Sequence, residues 1–256
     1  MKSIDLNCDM GELPKAIADG TQESLMPWIT SANIACGGHA GDAETMSTTI
    51  EQAIRWKLAL GAHPGYPDHA NFGRMELQMS AEAIADSVFE QVRTLAEVAA
   101  RYGGDLEHVK PHGALYNQAV RNRALAEAIA QGVARWRHDV VLIGLAGSSM
   151  LDVFREAGFA VAAEAFADRR YEADGTLRSR KFDDALICNP TEAARQAVGI
   201  VQRGTVIGGN GNEVPINAQT LCIHGDTSGA PQVAAAVASA LRRAGVRLSP
   251  VRSAQH

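Results

Sequence analysis

Cysteine is scarce in this 256-residue chain: Cys8, Cys36, Cys188 and Cys222 are the only four. They are far apart and form no CxxC pair, which excludes zinc-ribbon spacing and the dense framework of a secreted disulfide scaffold. Each is expected to be a reduced, mostly buried thiol. No window of about 20 apolar residues offers a membrane span, and Met1–Asp5 lacks the apolar segment of a signal peptide. Positive charge is not in excess, since 24 Lys+Arg stand against 29 Asp+Glu, and no long run of one sign occurs. That balance argues against a nucleic-acid footprint. These absences lead us to expect a soluble, cytoplasmic protein without a nucleic-acid or membrane partner.

Several catalytic signatures are missing as well. There is no GxxxxGK[ST] loop, so this chain shows no phosphate-binding P-loop of its own. Gly208-Gly209-Asn210-Gly211 does not link a strand to a helix and is a poor phosphate cradle. Gly144-Leu145-Ala146-Gly147-Ser148 has the wrong spacing for a nucleophile elbow, and HExxH is absent.

What the chain does have is 46% hydrophobic residues arranged in a regular alternation. Strand-length apolar runs occur at Ser3–Asp9, Thr30–Gly37, Leu58–Pro64, His108–His112, Val140–Gly147, Phe159–Asp168 and Thr220–Asp226. Amphipathic stretches of helical period lie at Ala43–Lys57, Ser80–Tyr102, Gln118–Trp136, Ser148–Ala157, Asn189–Gln202 and Pro231–Ala244. Arg169–Asp184 is polar and reads as a long loop, and Val206–Ile216 reads as a hairpin. Repeated βα units require a parallel sheet, either open or closed. Strand side chains alternate faces. Asp5, Asn7 and Asp9 therefore share a side opposite Ile4, Leu6 and Cys8. Asn33 shares a parity with His39 if the extended chain continues. The same holds for His108, Lys110 and His112, for Glu164 and Asp168, and for His224 and Asp226. A sheet covered by helices on both faces gives nearly continuous apolar strands instead. The expectation is a single seven-stranded parallel β/α barrel over residues 1–248, TIM-like and of the glycoside hydrolase/deacetylase type, followed by a loose C-terminal tail at 249–256.

Active sites of such barrels sit at the carboxyl ends of the strands. Six of the seven ends here carry an ionisable group, and four of the eight histidines lie there: His39, His63, His112 and His224. A lone aspartate after a strand is ordinarily a helix cap. Six independent caps need not gather at one end of a barrel, and burying them together requires a reason. A pocket of carboxylate, imidazole and lysine suits activation of water with cationic stabilisation of an oxyanion or leaving phosphate. Asp9, His39 and His63 alternatively suit a divalent metal. Spacing does not decide between these uses, because the ligands come from three strands.

The same residues carry a resemblance. Asp5-Leu6-Asn7-Cys8-Asp9-Met10-Gly11-Glu12, Ala32–Gly37 with His39-Ala40-Gly41-Asp42, Gly61-Ala62-His63-Pro64, Val109–Tyr116, Phe166-Ala167-Asp168-Arg169 with Tyr171, and Ile223–Thr227 together resemble the LamB/YcsF family, understood as the A component of prokaryotic 5-oxoprolinase. The match runs from Ser3 to about Ala230, with departures at Gly38, Gly65, Met75 and Arg170 around the expected pocket mouth. The resemblance implies a seven-stranded barrel related to polysaccharide deacetylases. It also implies ATP-dependent opening of 5-oxo-L-proline to L-glutamate together with subunits B and C, the partners handling ATP. On that reading Asp9 activates water, Lys110, His112 and His224 stabilise the oxyanion or phosphate, and His39 and His63 relay protons. Arg169 or Arg74 holds the substrate carboxylate, and Asn7, Asn33, Tyr116, Glu164, Asp168 and Asp226 complete the substrate-binding set. Two other readings compete: a stand-alone metal-dependent deacetylase or amidohydrolase, and a non-catalytic lactam- or carbohydrate-binding subunit.

Overall fold

The computed structural model describes residues 1–227 and 229–252. Six strands, β1 (Ser3–Met10), β2 (Ser31–Ala35), β3 (Ala59–His63), β4 (Leu106–Val109), β5 (Val141–Leu145) and β6 (Ala160–Phe166), lie side by side in chain order. After a short antiparallel hairpin of β7 (Thr205–Ile207) and β8 (Glu213–Pro215), β9 (Thr220–Cys222) pairs with both β6 and β1. That double pairing closes a seven-stranded parallel β/α barrel, and β10 (Arg247–Leu248) adds to the amino end of β1.

The helices form where the sequence supplies caps and an apolar stripe. In α2 (Ala43–Arg55), Asp42 and Thr45 bond each other's backbone N–H reciprocally. In α3 (Ala81–Arg101), the Ser80 hydroxyl accepts from Ala83 N–H, and Ile84, Val88, Val92 and Leu95 face the barrel. Burying each such side chain is worth about 1.5–3 kcal/mol. α7 (Pro190–Arg203) starts at Asn189 with proline in its first turn, and α8 (Ala230–Arg243) packs against it. No helix among the described residues is long and apolar enough to cross a membrane.

Some expectations need correction. The stretch Gln118–Trp136 is not one helix. α4 (Gly113–Ala119) stops, and Asn122 caps a new start at α5 (Arg123–Ala134) by accepting from Leu125 N–H. β4 begins and ends earlier than expected, and His112 becomes the residue before α4. β2 ends at Ala35, and a turn closed by Gly37 N–H to the Ala40 carbonyl brings His39 back, so His39 arrives on a loop. The short helix α1 (Pro14–Ala18) has no apolar stripe to mark it in the sequence. Another helix, α6 (Ser149–Glu156), lies within its expected bounds. The segment from Ser249 is not a loose tail. Ser249 N–H bonds the Ile4 carbonyl and Val251 packs on Val141, Ile143 and Ala162, while residues 253–256 lie outside the described residues. Cys188 is exposed, unlike the other three thiols.

The barrel interior is polar in layers, as strand parity dictates. At the amino end Asp5 accepts from the hydroxyls of Thr30 (2.6 Å) and Ser31 (2.7 Å), and from Thr220. Above it, His108 Nε2–H donates to Asn33 (2.8 Å), which donates to Asn7 (2.7 Å) and Asp9 (2.8 Å). Gly61 makes room for this layer: a Cβ there would sit 2.0 Å from His108 Nε2. Asp5, Asn7 and Asn33 thus find their partners on neighbouring strands and the residues that flank them, while His108 Nδ1 has no partner.

Candidate active site

At the carboxyl end of the strands a cavity of about 810 Å³ opens to solvent. Its floor is Lys110, carried inward just beyond β4. The ammonium donates to Asp9 Oδ1 (2.9 Å) and Asn7 Oδ1 (3.3 Å), and pairs with Glu164 Oε1 (2.9 Å). Burial works against its charge, but Asp9, Cys222 and Glu164 together raise the Lys110 pKa well above the ordinary lysine range. Burial would likewise push Asp9 up, yet His63 and Lys110 hold it well below the usual carboxylate range. Asp9 is thus a fixed anion at neutral pH, and a carboxylate of such low basicity is a weak acceptor of protons from water.

A second pair stands beside Asp9, just beyond β6 and β9. Asp168 accepts from the His224 backbone N–H (2.7 Å) and from its Nδ1–H (3.0 Å). Phe166 stacks on the imidazole at 5.5 Å. Burial opposes the Asp168 charge, but His224 wins and its pKa lies below the ordinary value. This bonding fixes the His224 tautomer and leaves Nε2 free, the arrangement that makes a histidine a directed proton acceptor.

The third group is Glu12 with His39, His63 and His112. Glu12 Oε1 lies 2.8 Å from His39 Nε2, 3.1 Å from His112 Nδ1 and 3.7 Å from His63 Nε2. His63 Nε2 is also 3.3 Å from Asp9 Oδ2, which ties this group to the floor. Burial pushes His39 down to about 4 and lowers His112, so both rings are uncharged at neutral pH. For His63 burial acts in the same sense, but Asp9 outweighs it and raises its pKa above the ordinary imidazole value. Glu12 is absent from the set of residues expected at the site. Its signal was present, as the third ionisable group of the first strand end. What positions it is Gln22, whose side chain accepts from Gly11 N–H (2.8 Å) and donates to Thr49 and Gln52.

The expected site residues therefore divide. Asp9, His63, Lys110, His112, His224, Tyr116, Arg74, Arg169 and Asp226 line the cavity. Asn7, Asn33, Glu164 and Asp168, expected to touch substrate, are instead buried behind the wall, where they hold Lys110, Asp9 and His224. His39 is buried behind Glu12 and stacks on His112 at 3.5 Å. Arg74 is at the rim, paired with Asp226 (2.7 Å), and Arg180 shares that carboxylate at 3.1 Å. Arg169 is buried, with one bond to the Arg178 carbonyl and its Nε unpartnered. Burial, with Arg180 nearby, lowers its pKa to about 10. The polar loop after β6 brings Thr176–Lys181 over the mouth. None of Gly38, Gly65, Met75 or Arg170 lines the cavity, which corrects their expected place at its mouth. Gly38 lies where a Cβ would meet Gln91 Oε1 at 2.2 Å, so Gln91 occupies the space of a larger side chain.

Known proteins are similar to this chain over nearly its whole length. A protein of Chloroflexus aggregans, named as the A component of 5-oxoprolinase, is 50% identical over 246 residues, covering 96% of this chain and 98% of its own. A protein of the same name from Bordetella pertussis is 47% identical over 246 residues, with 96% and 98% covered. The crystal structure of a lactam utilization protein from Thermus thermophilus superposes with a TM-score of 0.91 at 41% identity, covering 98% of this chain and 100% of that one. The profile of the LamB/YcsF family matches residues 4–256, and the chain belongs to that family.

Proposed function

We propose that this chain is the hydrolytic subunit of an ATP-dependent 5-oxoprolinase, acting with subunits B and C to convert 5-oxo-L-proline to L-glutamate. Relatives at about half identity over nearly the full length carry the name of the 5-oxoprolinase A component, and that observation carries the reading. The chemistry of the cavity fits it. A five-membered lactam carbonyl is a poor electrophile because the amide is resonance-stabilised. Transfer of the ATP γ-phosphoryl group to the lactam oxygen releases ADP and makes that carbon electrophilic. No P-loop is present in this chain, so the phosphoryl transfer falls to the partners. ATP dependence implies a cytoplasmic assembly.

Hydrolysis then needs a proton acceptor and a cation. His224 Nε2, oriented by Asp168, takes a proton from the attacking water, whose oxygen bonds the ring carbon. The carbon–nitrogen bond breaks and the nitrogen gains a proton, leaving an acyl phosphate. A second water displaces inorganic phosphate and gives the glutamate side-chain carboxylate. Lys110 sits where negative charge develops, preorganised by two carboxylates and so needing no rearrangement. Asp9 holds Lys110 and orients water, in place of the base role expected for it. Arg169, with donors to spare inside the cavity, holds the substrate carboxylate. The test measures glutamate release from 5-oxoproline and ATP with this chain alone, with subunits B and C alone, and with all three. Product is expected only in the complete mixture, and equal turnover without this chain would overturn the proposal.

A further inference from the structure

We propose that Glu12, His63 and His112 form a three-ligand site for a divalent transition metal of the zinc class, with His39 as a positioning residue for Glu12. The tautomers set the direction of each lone pair. His63 Nδ1–H donates to the Lys110 carbonyl at 2.7 Å, so the lone pair of neutral His63 is on Nε2. His112 Nε2–H donates to the Phe72 carbonyl at 2.9 Å, so its lone pair is on Nδ1. These two lone pairs face each other at 3.0 Å, and both face the Glu12 carboxylate. Three acceptors aimed at one point repel unless a cation, either a proton on His63 Nε2 or a metal ion in its place, lies among them. Backbone carbonyls that fix the far nitrogen of each imidazole are the usual support of a metal ligand.

Distances fit the same use. The three donor atoms are separated by 3.0, 3.1 and 3.7 Å. A tetrahedral ion with bonds of about 2.1 Å separates its donors by about 3.4 Å. The His63 and His112 rings are at 88° to each other, which lets their lone pairs converge. The His39 ring is different: it lies parallel to His112, 1° apart in plane and 3.5 Å away. The in-plane lone pairs of the two stacked rings therefore lie in separate parallel planes and do not converge on one point. His39 instead donates Nε2–H to Glu12 Oε1 at 2.8 Å and aims the carboxylate. Four residues are close enough to ligate, and ring orientation reduces them to three. Three protein ligands with an open side toward a cavity is the pattern of a reactive metal, which would act as a Lewis acid beside Asp9.

The surrounding chain is built tightly around this group. Phe72 holds a left-handed φ of 57°, which places its carbonyl on His112. A Cβ at Gly73 would come within 2.6 Å of His39 Cβ and 3.0 Å of His112 Cδ2. Gly73 itself has φ +61°, so a side chain there would be strained as well as crowded.

The test is Co²⁺ titration of the chelator-treated full chain without lactam or ATP, read by visible absorption and by bound metal per chain. Saturation at one Co²⁺ per chain with the strong absorption of a low-coordinate site is expected, with Zn²⁺ displacing it. Glu12→Gln and His112→Asn should each weaken binding at least 100-fold, while His39→Asn should weaken it roughly 10-fold and keep the absorption band, as loss of a ligand-orienting partner does. Circular dichroism checks each fold, and the isosteric Glu12→Gln decides the matter if a histidine variant unfolds. Absence of saturable Co²⁺ and Zn²⁺ binding, or equal loss in His39→Asn and His112→Asn, would overturn the assignment. The readout is separate from glutamate release, so failure here leaves the proposed reaction standing.

Discussion

Replacing Lys110 with methionine removes one positive charge and keeps an unbranched side chain of similar reach. Lys110 Nζ is 2.9 Å from Asp9 Oδ1 and 2.9 Å from Glu164 Oε1. At an effective dielectric of about 20, each contact is worth about 6 kcal/mol of Coulomb energy. Most of that is offset by the cost of taking three charges out of water, and the measured penalty for stranding a buried charge is about 3–5 kcal/mol. Against a total stability of about 5–15 kcal/mol this is large. With a urea slope of about 2–3 kcal/mol/M, the unfolding midpoint should fall by roughly 1–2 M. The pH dependence carries the finer test. In the native chain Asp9 titrates well below its ordinary 3.8, so its contribution is complete above that value and lost only as pH falls through the folded one. Without Lys110, His63 is left to oppose burial, and the Asp9 pKa is less depressed than in the native chain. Acid then costs the variant less than it costs the native chain. The gap between the two proteins should narrow as pH falls below 3.8 toward the folded value of Asp9, and Lys110→Met/Glu164→Gln should recover part of it at pH 7. A penalty below about 1 kcal/mol at pH 7, or one unchanged with pH, would refute the reasoning.

Three further outcomes follow from the site. Asp168→Asn keeps a hydrogen-bonding side chain but frees the His224 tautomer; turnover in the reconstituted system should fall by roughly 10²–10⁴, with the melting temperature changed far less. Arg169→Gln should raise KM for 5-oxoproline about ten-fold or more with a smaller change in kcat, measured by initial rates of glutamate release. Gly61→Ala places a methyl 2.0 Å from His108 Nε2 and should cost about 1–3 kcal/mol or more in urea unfolding, with the loss reduced when His108 is also replaced by alanine.

The sequence alone determined the architecture, because its signals are local. A two-residue alternation in Asp5, Asn7 and Asp9 states which side chains turn inward, whatever the rest of the chain does. A helical period with a capping serine or asparagine marks α3 and α7 in the same way. The gathering of Asp9, His63, Lys110, His112 and His224 at one rim follows from parallel strands, whose carboxyl ends all point one way. Depth and role come from the way the strands and loops close around one another. Asn7, Asn33 and Glu164 share the inward parity of the reactive groups, but closure of the barrel covers them and leaves Lys110, itself almost fully buried, at the cavity floor. His39 reaches the site by a turn after β2, and Glu12 by a bond from Gly11 N–H to Gln22 Oε1, and neither leaves a periodic trace. The fixed charge of Asp9 and the directed lone pairs of His63 and His112 depend on neighbours from other strands and loops. Electrostatics falls off with distance in space, and sequence separation carries no record of it.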